Sequence, residues 1–181
     1  MNRVQLDHVL RAATDTVPGA DIVVIGSQSI LASLDEAILP IEAIRSIEVD
    51  LAFFDDADAA KADSVDGAIG ELSRFHGTFG YYGQGVSLTT ATLPDGWMDR
   101  LVELKPPRDG SRVRALEPHD CVVSKLVAWR QKDLEFAEAL LGEKLIERTI
   151  LVSRIDALPK QVPGSRRAVI LSWLAKARPI A

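Results

Sequence analysis

Two carboxylates on one face of a strand constrain this chain more than any other feature. The stretch Ser46-Ile47-Glu48-Val49-Asp50-Leu51-Ala52-Phe53-Phe54 reads as a strand, and alternate side chains of a strand point the same way. Glu48 and Asp50 therefore share a face. Adjacent acids repel, and both types are depleted in strands, so the pair calls for cations. Upstream, Ile22-Val23-Val24-Ile25 forms a first apolar strand that runs into a Gly26-Ser27 turn and a helix from about Gln28 to Leu34. A turn that opens a helix presents unpaired N–H groups and a positive dipole end, which suit phosphate. Such a turn beside paired carboxylates can hold a metal-bound nucleoside triphosphate.

The other elements follow from periodicity and breakers. Arg3 to Thr16 carries Val4, Leu6, Val9, Leu10 and Ala13 at helical spacing, and Pro18-Gly19 ends it. Ser33 to Arg45 reads as a short helix, a break at Pro40 and a second helical turn. Asp55 to Asp58 is an acidic loop, and Asp63 to Phe75 is a helix with Val65, Ile69 and Leu72 on one side. Gly77 to Gly83 is a glycine-interrupted aromatic strand or turn. Val86 to Thr92 alternates as a half-exposed strand would, Pro94-Asp95-Gly96 turns the chain, and Met98 to Leu104 is another strand. Pro106 to Gly110 is the candidate hinge, followed by a strand from Val113 to Leu116. A long helix then spans Asp120 to Leu141, with two more near Glu147 to Ala157 and Arg166 to Ala177. The expected fold class is mixed α/β (α+β): a small mixed sheet flanked by helices over residues 1–116, then a helical region over residues 117–181.

Composition narrows the setting. With 181 residues, 47% of them hydrophobic and 26% charged, the chain is ordinary globular protein. It has no apolar run of the about 18 residues that span a bilayer and no apolar signal segment at its start. The single cysteine, Cys121, excludes an internal disulfide and a cysteine-cluster zinc site. These features lead us to expect a cytoplasmic protein with no membrane partner. From Lys144 to Arg178 there are eight basic and two acidic residues, whereas the remainder has 13 basic and 24 acidic. An acidic body with a basic C-terminal segment leans slightly towards an anionic partner such as RNA or tRNA, and an ordinary solvated helical surface is the simpler reading.

On the long helix, Val123, Leu126, Leu134, Ala137 and Leu141 form one stripe at 100° per residue. Arg130 falls inside that stripe, where an unpaired charge is rarely left, and Asp133 sits between it and a flank of Lys125, Trp129 and Phe136. The helix thus offers Lys125, Arg130 and Asp133 to something buried, or only an Arg130–Asp133 pair that closes the helix packing.

Taken together, Gly26-Ser27-Gln28, Arg45-Ser46-Ile47-Glu48-Val49-Asp50 and the Ser124 to Asp133 segment Ser-Lys-Leu-Val-Ala-Trp-Arg-Gln-Lys-Asp resemble the nucleotidyltransferase fold of the AbiEii toxin type. Within it, the chain is similar to an uncharacterised bacterial nucleotidyltransferase family. Gly70 to His76 and Leu93 to Trp97 share that likeness, which extends from residue 1 to about residue 158. The resemblance implies transfer of a nucleoside monophosphate from a nucleoside triphosphate to an RNA or protein acceptor, in a toxin–antitoxin or phage-defence setting with a cognate protein partner. It also implies Gly26 and Ser27 on the triphosphate, and Mg²⁺ (or Mn²⁺) on Glu48 and Asp50. Lys125 and Arg130 would sit on the remaining phosphate charge, with Asp133 orienting one of them. The family pattern includes a third carboxylate on a later strand, for which Glu103 is the best positional candidate. The first acid is Glu where the wider fold has Asp. A second reading is a weakly active or inactive binding protein on the same fold.

Other motifs yield to simpler readings. His119-Asp120 has only His8 and His76 to complete a phosphohydrolase site, so Asp120 is expected to be a helix N-cap. Cys121 reads as a small buried residue. Ser27 lacks the glycine-x-serine-x-glycine turn of a hydrolase nucleophile. Tyr81, Tyr82 and Trp97 read as packing rather than base-stacking groups.

Overall fold

The computed structural model describes residues 1–105 and 110–177. Five strands form one mixed sheet in the order β3-β2-β1-β5-β4, comprising β1 (Asp21–Val24), β2 (Glu48–Phe53), β3 (Tyr82–Gly85), β4 (Val102–Glu103) and β5 (Arg112–Ala115). β1 lies antiparallel to β2 and parallel to β5, β3 runs parallel to β2, and β4 is antiparallel to β5. The fold is the expected mixed α+β class.

The register sorts the sheet into two faces. Ile22 pairs with Phe53 and Val113, and Val24 with Leu51 and Ala115, so one face is apolar. On that face, helices α1 (Arg3–Thr16) and α3 (Ala60–Ile69) close over β3. A side chain at Gly83 would meet Ile69 and Val9 at 2.9 Å, so this position must be glycine for the helices to approach. Leu6, Val9, Leu10 and Ala13 supply the buried stripe of α1, whose start is closed by a reciprocal Asn2–Gln5 capping box. The opposite face carries Glu48 and Asp50, and further along Asp21, Arg112, Arg114 and Glu103. One apolar cluster runs from Leu6 through the sheet to Leu174 and Ala177.

Several local elements differ from the sequence reading. The segment after Gly26 is a 3-10 turn, Ser27–Ala32, rather than an α-helix to Leu34. The helix expected over 63–75 is two: α3 stops at Gly70, and Ser73 caps α4 (Arg74–Phe79) by accepting the His76 N–H. Residues 86–92 are no strand, because Ser87 turns the chain into a 3-10 turn at Leu88–Thr90. Of the strand expected over 98–104 only Val102–Glu103 pairs, since Gly96 (φ 75°) leads into a 3-10 turn at Trp97–Arg100. The segment before β2 holds a 3-10 turn at Glu36–Ile38 and α2 (Ile41–Ile44), as its break at Pro40 suggested. Residues 106–109 of the candidate hinge lie outside the described residues.

The largest difference is the long helix. It is α5 (Pro118–Ala128) and α6 (Gln131–Gly142), separated by Trp129 in the left-handed region at φ 60°. Arg130 is therefore not a buried stripe residue. It is the N-cap residue of α6, with its side chain 60% exposed. Nor does Asp120 cap α5. Glu117 does, accepting the N–H groups of His119 and Asp120, and Pro118 occupies the first helical position, where its missing N–H costs nothing. Asp120 is instead fully buried between Arg100, at 2.8 and 3.0 Å, and Arg154, at 3.2 Å. The last two helices, α7 (Arg148–Asp156) and α8 (Gly164–Lys176), pack on α5. Cys121 is buried, as expected.

Candidate functional site

The site forms where the end of β1 meets the start of β2. The N–H of Ile25 donates to the Asp50 carbonyl at 3.1 Å, which holds the turn after β1 against the carboxylate strand. Gly26 then lies so close to Asp50 that a Cβ on it would stand 1.8 Å from Oδ2. Only a glycine lets the carboxylate lie against the backbone here. Behind the turn, the Gly26 carbonyl accepts from the Ser29 N–H at 3.0 Å and from the Cys121 thiol at 3.5 Å, so α5 buttresses the loop from the inside. Burial raises the affinity of that thiol for its proton, which makes it a packing group rather than a nucleophile.

Glu48 and Asp50 lie two residues apart on β2, on the same face of the sheet. Burial raises the Glu48 pKa first, and the neighbouring Asp50 charge adds to it. Among the described residues neither carboxylate forms a direct ion pair; Lys132 acts on Glu48 only at longer range, easing its ionisation. Tyr82 stands directly opposite Glu48 on β3, and its phenol is pushed up to about 12 by burial and then by the charges of Glu48, Glu71 and Asp50. His76 packs its ring 4.7 Å from Tyr82 and accepts the Leu72 N–H, which fixes the loop that carries Glu71.

Opposite the acids stand the cations expected from the sequence. Asp133 is fully buried and holds both: Arg130 Nε at 2.7 Å, and Lys125 Nζ at 3.4 Å. The oxygen that accepts Arg130 Nε also accepts the Arg130 backbone N–H, at the start of α6. Burial works against ionisation of Asp133, but the Arg130 hydrogen bonds and the Lys125 charge outweigh it and lower its pKa. Lys125 further lies 5.0 Å from the Phe136 ring. Arg130 and Lys125 are thereby aimed into a cleft of about 390 Å³ that they share with Gly26, Asp50, Thr90 and Ser124. That volume lies in the range of small-molecule sites. Lys125 also borders a second, smaller cleft of about 60 Å³, beside Ser27, Arg45, Ser46 and Lys132.

The structure thus brings Gly26, Ser27, Asp50, Lys125, Arg130 and Asp133 around adjoining clefts, with Glu48 one residue pair along the strand. It does not bring Glu103 there. Glu103 sits on the outermost strand β4, paired with Arg112 at 3.0 Å, three strand spacings or about 14 Å from β2. The residues beside the acid pair on β3 are Tyr82 and Gln84, and the Gln84 amide donates to Asp66. Among the described residues no group of three or more acid, histidine or cysteine side chains is placed to hold a metal ion. Two carboxylates that crowd one another with no direct cation partner are still a donor set suited to Mg²⁺ or Mn²⁺, hard ions that complete their shells with phosphate and water oxygens. Tyr82, Glu71, Arg45 and Lys132 were missed from the sequence. Arg45 and Lys132 stand within the motifs already singled out, so their charge was the signal available.

A larger cavity of about 570 Å³ opens near the far end of β2, beside Phe54, Asp55, Asp56 and Val86. Its acids are committed: Asp55 pairs with Lys61 at 2.5 Å, and Asp56 accepts the N–H groups of Lys61 and Ala62. The basic C-terminal segment is also partly consumed internally. Arg148 donates to the Ala177 carbonyl, Arg154 faces Asp120, and Arg167 donates to the carbonyls of Ile155 and Leu158.

A mixed sheet whose first strand ends in a glycine-serine turn, against a carboxylate pair on the second, is consistent with a nucleotidyltransferase-like α+β fold. The chain belongs to the DUF6036 family, described as nucleotidyltransferase of unknown function, whose model matches residues 3–163. No curated protein and no solved structure matches the chain. Among the described residues, no helix is long and apolar enough to cross a membrane.

Proposed function

We propose that the protein transfers a nucleoside monophosphate from a nucleoside triphosphate to an RNA or protein acceptor, with Mg²⁺ (or Mn²⁺) on Glu48 and Asp50. The observation that supports this best is the contact of the Asp50 carboxylate with the Gly26 backbone, in a cleft whose facing wall carries Lys125 and Arg130. Gly26 and Ser27 offer backbone N–H groups and a hydroxyl to the triphosphate. Lys125 and Arg130, held by Asp133, neutralise phosphate charge as it shifts toward the leaving pyrophosphate. A divalent cation there supplies Lewis-acid polarisation of phosphate and a more acidic acceptor hydroxyl. Asp133 positions the two cations and does not itself meet substrate. An AbiEii-like toxin–antitoxin or phage-defence setting, with a cognate protein partner, follows from the same reading.

The test incubates the protein with Mg²⁺, labelled nucleoside triphosphates and total RNA or cell lysate. Label transfer that disappears in Asp50→Ala is the expected result; no transfer, with no difference between the two proteins, overturns the reading. One observation favours a nucleotide-binding protein without transfer: the strand positions beside the acid pair carry Tyr82 and Gln84 rather than an acid. Nucleotide binding by wild type without any label transfer selects that second reading.

A further inference from the structure

The two clefts that meet at Lys125 differ in size and in chemistry. The larger is lined by Gly26, Asp50, Thr90, Thr92 and aliphatic residues of α5. The smaller, of about 60 Å³, is lined by Ser27, Glu42, Arg45, Ser46, Lys132 and Phe136 besides Lys125. It is too small for a nucleoside and large enough for a compact oxyanion. Three of its lining residues are cationic and one is acidic. Lys125 is engaged with Asp133, and Arg45 gives one guanidinium nitrogen to Glu135 at 2.6 Å. Lys132 makes no hydrogen bond or ion pair among the described residues, and its charge reaches Glu48. Ser27 immediately follows Gly26, so the turn after β1 borders the large cleft through Gly26 and the small one through Ser27.

We propose that the small cleft recognises the terminal phosphate of the nucleoside triphosphate, with Lys132 and Arg45 as the residues that distinguish it from a nucleoside monophosphate. This inference rests on the reading above that the protein binds nucleoside triphosphates. The large cleft then takes the nucleoside with its α-phosphate, beside Asp50 and Arg130, and Lys125 stands where the two clefts meet. Arg45 keeps free N–H donors in its planar fork while one nitrogen is held by Glu135. A terminal phosphate that lies against Lys132 and Arg45 gains charge-assisted hydrogen bonds that a monophosphate cannot reach.

The test measures binding by calorimetry to the full-length chain in Mg²⁺. The probes are the four ribonucleoside triphosphates, their di- and monophosphates, inorganic tripolyphosphate and a short single-stranded RNA. Wild type is expected to prefer the triphosphate of its nucleotide over the monophosphate by at least about tenfold, and to bind tripolyphosphate in competition with it. Lys132→Ala should reduce that preference by about tenfold while changing monophosphate affinity less than about twofold. Glu135→Gln, which releases Arg45 from its carboxylate, should raise the preference by about threefold, a gain that misfolding cannot imitate. Equal losses for mono- and triphosphate in Lys132→Ala, or an unchanged preference in both variants, overturns the inference and leaves the nucleotide-binding reading standing. RNA that displaces tripolyphosphate where triphosphates do not would assign the cleft to acceptor phosphate and overturn it too. A wild type that binds no triphosphate fails both readings at once.

Discussion

Two pairs of carboxylates in this molecule are treated in opposite ways. Asp120 and Asp133 are both fully buried, and each is held by two cations: Arg100 and Arg154 around the first, Lys125 and Arg130 around the second. Glu48 and Asp50 are less buried, lie side by side on β2, and have no direct ion pair among the described residues. Buried charge is tolerated in folded protein when it is compensated by partners. Where two acids instead face each other, the fold carries an electrostatic penalty, and that penalty is lifted by a cation from outside. The contrast separates acids compensated by partners within the fold from acids that no described side chain pairs with. Asp133 belongs to the first group but links it to the second, because the cations that it holds line the cleft beside Asp50.

The contrast breaks if removing either type of acid costs the same stability. Asp120→Ala leaves Arg100 and Arg154 facing an uncompensated void and should cost about 3–5 kcal/mol in urea unfolding. Asp50→Ala should leave stability unchanged or improve it, and should lower label transfer by about 100- to 1000-fold, a magnitude typical of losing one transition-state electrostatic contact. If Asp50→Ala unfolds the protein as readily as Asp120→Ala, the acid pair is structural and the site assignment falls. Gly26→Ala comes next in size. Its methyl must displace the Asp50 carboxylate, at about 1–3 kcal/mol of overpacking, so transfer should fall in parallel with Asp50→Ala while circular dichroism stays native.

The same comparison explains what the sequence disclosed. The acid pair was legible because a period of two places Glu48 and Asp50 together whatever the tertiary context. The turn was legible because Gly26 follows an apolar strand. Asp133 and its cations could be named, but their arrangement could not. Trp129 adopts the left-handed conformation, which little in a tryptophan side chain announces, so a continuous periodic stripe concealed the break between α5 and α6 and made Arg130 look buried. Asp120 looked like a cap because an acid before an apolar run usually is one. Its real partners come from Arg100 and Arg154, separated from it by long stretches of chain. Glu103 looked available because strand order, which removes it to the far edge, is not written in local pattern.

The pH dependence of stability sharpens the contrast with the smallest effect. The folded-state pKa of Glu117, the α5 cap, is lowered: burial opposes ionisation, but the hydrogen bond from His119 and the helix N–H groups outweigh it. Its contribution is therefore present above the ordinary glutamate value of 4.5 and is lost as pH falls through the lower folded value. Glu48 has the opposite sign. Its folded pKa is raised, chiefly by burial and by Asp50, so the fold is favoured while it is protonated. That advantage fades as pH rises from 4.5 through the raised folded value. Thermal unfolding of Glu117→Gln against wild type should show a deficit of about 1 kcal/mol at neutral pH that closes toward pH 3. Glu48→Gln should show a small gain at neutral pH that vanishes on acidification. Because Mg²⁺ would replace the missing cation, it should raise the melting temperature of wild type at pH 7 and narrow the gap to Glu48→Gln. Glu48→Gln that is less stable than wild type at pH 7 in chelator would place Glu48 among the compensated acids and remove the distinction on which the site rests.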